Sequence, residues 1–240
     1  MSGRSLLLRG MLVGVTAGVL ALAFGYLLGE PPLNQAIAFE GAMSDGAEPV
    51  SRAVQSTAGL ATALLIFGTA IGGLYGIAFA VAYGRIGRFG ARATAALVAL
   101  GGFVSAELAV FLKYPANPPA VGNPDSIGNR TTLYFLMVAI SVAAAVGAVR
   151  IGQSLQARWG NWNATLAACG AYVVVLAVAY LLLPSINEVP EGFPATVLWK
   201  FRLASLGTQA VLWAGMGLLF GYLTERAAAP SKAPQKVLQK

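Results

Sequence analysis

Six apolar stretches, separated by gaps whose charges are sorted by sign, constrain this chain more than any other feature. The stretches are Leu6–Leu28, Thr57–Tyr83, Ala93–Leu112, Thr131–Val149, Ala164–Leu183 and Leu203–Leu223. Each is close to the ~20 residues that a helix needs to cross ~30 Å of hydrocarbon. They are continuous runs rather than the ~10-residue alternating segments of a membrane barrel, so helices are expected. One alternate set of gaps holds Arg4, Arg9, Arg85, Arg88, Arg92, Arg150, Arg158, Arg226, Lys232, Lys236 and Lys240, with Glu225 its single acid. The other holds Glu30, Glu40, Asp45, Glu48, Asp125, Glu188 and Glu191 together with Arg52, Lys113, Arg130, Lys200 and Arg202. Basic residues accumulate on the cytoplasmic side of membrane proteins. The expectation is an all-α membrane protein with six transmembrane helices, both termini cytoplasmic and three loops outside.

Composition agrees. Only 10% of residues are charged, 57% are hydrophobic and the mean hydropathy is +0.70. A soluble domain carries about 25% charged residues. The net charge of +7 is explained by the sorted arginines and a basic tail, so no nucleic-acid partner is expected. Residues 1–226 read as one membrane domain, in contact with lipid. Residues 227–240 read as a basic tail, disordered or lying on the anionic inner leaflet. Arg4, Arg9 and Ala21-Leu22-Ala23 loosely resemble a secretory signal. The apolar run continues to Leu28, however, and Gly10, Gly14 and Gly18 form a helix-packing face, so a retained first helix is expected. Gly68/Gly72/Gly76 and Gly217/Gly221 repeat that spacing.

The chain contains no histidine and one cysteine, Cys169, read as a small core residue of the fifth span. His-based acid–base chemistry, a Ser-His-Asp triad and His metal sites are therefore excluded within it. No P-loop, dinucleotide fingerprint or elbow-type serine motif is present. An enzyme is not expected, nor is a permanently bound cofactor.

The three outer segments, Gly29–Glu40, Phe111–Arg130 and Pro184–Arg202, read as irregular loops dense in proline and asparagine. In each, an aromatic ends the rising helix, prolines and an asparagine follow, and an arginine opens the descending helix: Arg52, Arg130 and Arg202. That grammar fits three related helical hairpins. It also fits the interfacial aromatics and turn prolines of membrane hairpins in general. The acids of these segments, Glu30, Glu40, Asp125 and Glu188 among them, read as a rim that concentrates cations. Glu107 stands apart, inside the third span and ~8 Å from its outer end at 1.5 Å per residue. A carboxylate at that depth is expected to face the bundle or a polar cavity, with Lys113 or one of the helix-top arginines Arg52, Arg130 and Arg202 as partner. Any metal site would consist of oxygens, from the outer acids, Glu107, Asn117 or Asn187.

Several strings resemble the CbtA family of predicted cobalt transporter subunits: RGMLVGVTAG, LGEPPLNQAIAFE, VQSTAGL, FLKYPANPPAVGNPDSIGNRT, NEVPEGFPATVLWKFRLASLGTQ and LLFGYLTER. The similarity runs from Arg9 to Arg226. It is most specific in KYPANPPAVG (Lys113–Gly122) and FPATVLWKFRLASLG (Phe193–Gly207). The resemblance implies a subunit of the inner (cytoplasmic) membrane, with Co²⁺ as substrate and a small, single-span, histidine-bearing CbtB-like partner. Other readings compatible with the residues are a non-transporting membrane scaffold and a transporter of another cationic solute.

The charge sorting makes a direct prediction. Cysteines placed at Asp45, Asn123 and Glu191 are expected to react with an impermeant thiol reagent added outside intact cells. Cysteines at Gly87, Gln156 and Ser231 are not. Outside labelling at Gly87 would reverse the orientation.

Overall fold

The computed structural model describes residues 2–42 and 51–228. Asp45, Glu48 and the tail from 229 onward lie outside the described residues. Five helical segments are long and apolar enough to cross a membrane: α1 (Gly3–Gly41), α2 (Arg52–Ala82), α3 (Ala91–Lys113), a fourth over Pro124–Leu182, and Ala195–Ala228. The fourth folds back on itself. Gly160 has φ 71 and ψ 167, a conformation that costs glycine little and other residues much. The arms on either side are antiparallel. Ser141 Oγ and Tyr172 OH share a hydrogen bond of 2.8 Å, and Met137 packs in one cluster with Ala179. We number the arms α4 (127–159) and α5 (161–182), and the last helix α6 (Ala195–Ala228). The fourth and fifth apolar stretches are thus joined by a bend at one residue rather than by a loop.

Both described chain ends, the 83–90 turn and the Gly160 bend lie at one end of the molecule, the terminal end. The segments 114–126 and 183–194 lie at the other, the loop end. The helices α1, α2, α3 and α6 form the core. Their first seam is glycine on glycine. A Cβ on Gly14 would sit 2.0 Å from the Gly68 carbonyl oxygen, and one on Gly10 2.1 Å from that of Gly72. In the other direction a Cβ on Gly72 would lie 2.3 Å from Gly10 O. All three obstacles are backbone, which has no rotamer to give way. On its other face α1 buries Ala17 and Ala21 and meets Gly215 of α6. Gly217 and Gly221 of α6 then pack on Ala99 and Arg92 of α3. The ring closes where Tyr75 of α2 donates its hydroxyl proton to Ala95 O of α3, at 2.6 Å. Tyr75 and Phe79 meet Phe220 edge-on inside this ring. The α4–α5 pair attaches from outside, mainly at the loop end, where Tyr114 donates to Pro184 O at 2.9 Å and Tyr180 to Ala109 O.

Several expectations are corrected. Glu30–Gly41 is helical, not an irregular loop. A π-helical turn, Gly25–Gly29, precedes it. Glu30 N–H bonds back to Gly25 O, five residues away. Pro31 and Pro32 follow in the first turn of the reset ladder, where a missing N–H does least harm. The last helix starts at Ala195, eight residues before Leu203, and ends at Ala228, inside the expected tail. Cys169 is exposed on α5 rather than in a core, because the hairpin shows most of its surface outward. The arginines of the expected hairpin repeat do not share a register. Arg52 is the first residue of its helix, Arg130 the fourth from Ile127 and Arg202 the eighth from Ala195.

The seam generates a prediction. Gly14→Ala and Gly72→Ala are expected to lower stability by about 1–3 kcal/mol, the usual effect of overpacking. Gly147→Ala and Gly170→Ala, whose added methyl meets open space, are expected to leave it unchanged or slightly raised. Denaturation of the purified chain in mixed micelles, followed by circular dichroism, separates the two pairs.

Candidate functional site

Three π-helical turns fall in the half of the bundle towards the loop end: Gly25–Gly29 in α1, Gln55–Gly59 in α2 and Phe103–Leu108 in α3. Such turns insert one residue into the helical register and re-aim the side chains beyond it. Glu107 lies in the third of them. It is half-buried, and its carboxylate accepts a hydrogen bond from the Trp213 indole Nε1 of α6, at 3.3 Å. The indole reaches it because Gly102 has no side chain. A Cβ there would lie 2.1 Å from the Trp213 ring.

The partner of Glu107 is therefore an indole, not a base. Lys113 is engaged elsewhere, donating to Tyr180 O at 2.8 Å and Ser185 Oγ at 3.2 Å. There it neutralises the carbonyl end of α5. One turn from Trp213 on α6, the Gln209 Oε1 atom is buried and accepts no hydrogen bond. Buried polar atoms without a partner are uncommon and mark places where a water or an ion belongs. Gln209 and Trp213 escaped the sequence reading. The available signal was an amide inside the apolar run Leu203–Leu223, and it pointed to no partner.

The loop end is organised by its arginines. Arg52 pairs with Glu30 and donates to Asn34 Oδ1 at 2.8 Å, closing the first hairpin on itself. The second and third exchange partners. Arg130, which opens α4, lies 3.5 Å from Glu188 of the 183–194 segment. Arg202 of α6 donates to Asn117 Oδ1 at 2.8 Å and Ala116 O at 3.3 Å, both in the 114–126 segment. Beneath them Phe39 of α1 meets Phe193 edge-on, and Ala36, Val121 and Val197 bury with Phe193. Glu40, Asp125 and Asn187 are exposed. Among the described residues no three of His, Cys, Asp and Glu gather where they could hold a metal. The acids expected to form one rim are spread out, and Glu30 and Glu188 are matched to arginines.

A family model described as "Probable cobalt transporter subunit (CbtA)" matches residues 3–225. The chain belongs to the CbtA family. No curated protein and no solved structure matches it. Membership makes this a transporter subunit, and the long apolar helices make it a multi-pass membrane protein. In this CbtA-family protein the two most specific strings noted above, Lys113–Gly122 and Phe193–Gly207, contain Asn117 and Arg202, whose side chains join them.

Glu188 makes the junction of the two loops pH-sensitive. Its carboxyl is held below the usual carboxylate range by the Ser126 hydroxyl, by the Asn123 N–H, donated at 2.7 Å, and by Arg130. A folded pKa below the unfolded one contributes stability above the unfolded value, and that contribution is lost as pH falls through the folded one. Protection of the Asn123 amide against hydrogen exchange is therefore expected to hold at neutral pH and to be lost only below the ordinary carboxylate range. Glu188→Gln should abolish that dependence.

Proposed function

We propose that this CbtA-family protein is the membrane-spanning subunit of a transporter that brings divalent cobalt across the inner (cytoplasmic) membrane. The proposal counts six crossings, taking α4 and α5 separately, with the terminal end in the cytoplasm. The arginines of that end support the orientation. Arg92 pairs with Glu225 at 2.6 Å, and Arg92 and Arg226 flank the Tyr222 ring, an interfacial arrangement.

The observation that carries the reading is Glu107. An acidic side chain within apolar helices is costly and is kept where it has a task. Here an indole orients it, and no described base pairs with it. Gln209 Oε1, close along α6, adds a neutral oxygen. Carboxylate and carbonyl oxygens suit a divalent cation and bind Co²⁺ weakly when imidazole and thiolate are missing. Weak binding favours passage, since an ion must leave as well as enter. The nitrogen ligands that a cobalt-selective step prefers come from another chain, a small single-span histidine-bearing CbtB-like subunit. A groove of about 270 Å³ between α3 and α6, walled by Ala99, Phe103, Ala214 and Gly217 and reaching Trp213, gives such a helix a close-packing surface beside the Glu107 partner.

Glu107→Gln keeps the shape and the acceptor but removes the charge. Cobalt uptake into proteoliposomes, measured with and without the partner subunit, is expected to fall about ten- to a hundredfold, the scale of one charged contact. Trp213→Phe should reduce uptake less. Unchanged uptake by a normally inserted Glu107→Gln protein would remove Glu107 from the path.

A further inference from the structure

At the loop end a cavity of about 450 Å³ opens between the 114–126 and 183–194 segments and the starts of α4 and α6. That is the size of a small-molecule site. Among the described residues its charged lining consists of two guanidinium groups, Arg130 and Arg202, without an acid. Tyr114, Tyr134, Phe135 and Ile186 supply apolar walls.

Neither arginine is used up by the fold. Arg202 donates Nε–H and one Nη2–H to neutral oxygens, Ala116 O and Asn117 Oδ1. A guanidinium has five N–H groups, and no described carboxylate forms an ion pair with this one. Arg130 donates from Nη2 to Asn123 O at 3.3 Å. Its Nε lies 3.5 Å from Glu188 Oε2 but is buried without a hydrogen bond. Its guanidinium rests on the backbone of Gly122, where a Cβ would fall 2.2 Å from Nη1. Gly122 also has φ 139, so glycine both permits the turn and leaves room for the charge. Among the described residues the lining itself carries two guanidinium groups and no carboxylate, with Glu188 beside Arg130 and Glu107 within electrostatic reach of the Tyr134 wall.

We propose that this cavity is a binding site for an oxyanion, a carboxylate or phosphate group carried on a small organic body. The guanidinium fork matches the two oxygens of such a group, and the tyrosines and Phe135 cover the rest. Two sources share this chemistry: a soluble organic polyanion arriving from solution and the headgroup of an anionic lipid entering past the exposed Phe135. The site is independent of the cobalt reading.

The full-length chain in phosphatidylcholine nanodiscs is titrated with citrate by calorimetry at neutral pH. In a second arm, nanodiscs of mixed phosphatidylcholine and phosphatidylglycerol are used, and the lipids retained by the protein are identified by native mass spectrometry. Saturable binding of one citrate, weakened by salt, or selective retention of one phosphatidylglycerol supports the site and names its source. Arg202→Gln is expected to weaken the supported ligand about ten- to a hundredfold. Asn117→Asp is the second variant. It keeps the contact to Arg202, and so the loop junction, but places a carboxylate in the cavity, and it should weaken the ligand at least as much. Glu107→Gln removes a carboxylate within electrostatic reach of the Tyr134 wall, so it should leave ligand binding unchanged or tighten it while cobalt uptake falls, which separates this site from the cation path. Absence of both citrate binding and phosphatidylglycerol selectivity overturns the proposal, as does undiminished binding by Asn117→Asp.

Discussion

The architecture depends on how closely α1 and α2 approach. In a bilayer, lipid tails are as apolar as leucine, so hydrophobicity does not select which helices touch. Contact has to come from shape. Gly10 and Gly14 against Gly72 and Gly68 bring backbone onto backbone, and this maximises dispersion contacts that no larger side chain would allow. From that seam α1 turns its alanines to α6, and α6 turns Gly217 and Gly221 to α3. Each step uses a small residue on one side. The α4–α5 pair, which packs on itself where Gly152 faces Ala168 and Ala164, attaches to the ring mainly at the loop end, by hydrogen bonds and by Val110 against Met137 and Ala179, with Gln153 donating to Arg85 O at the other end.

The functional half of the bundle departs from this regular packing. Three π-helical turns cluster there, and polar side chains inside the bundle, Glu107, Gln209 and Ser105, lie at or near the same level. The third turn bears Glu107 and, with Gly102, admits the Trp213 ring. Above it the loops are latched by arginine rather than lysine. A planar fork can hold an asparagine oxygen and a backbone carbonyl at once, as Arg202 does, and still offer donors outward. The loop end therefore combines acids matched to arginines with guanidinium donors gathered at one cavity, where the composition of the loops alone suggested an acidic rim.

Glu107 was legible in the sequence because a carboxylate inside an apolar run has few innocent explanations. Its partner was not. Trp213 lies 106 residues away, and one inserted residue in a π-helical turn changes which way the glutamate faces. The same holds for the arginines. Their recurrence was visible, and so was their position near the tops of descending helices. Arg52 pairs within its own hairpin, Arg130 divides its contacts between Asn123 of its own loop and Glu188 of the next, and Arg202 reaches across to Asn117. The helical course of Glu30–Gly41 was hidden by Pro31-Pro32, since proline signals a break unless the hydrogen-bond register has already been reset upstream.

Hydrophobic run length and charge sorting are local, additive properties, and for this protein they determined the helical class, the positions of the apolar segments and the asymmetry of the two ends. The glycine spacing went further and marked the faces along which helices pack. Which face meets which helix, where one helix doubles back at Gly160, and which acid is left without a base were decided only in three dimensions. Those outcomes depend on backbone approach of a few ångströms and on side-chain pairs separated by 60 to 110 residues. No one-dimensional pattern encodes such distances.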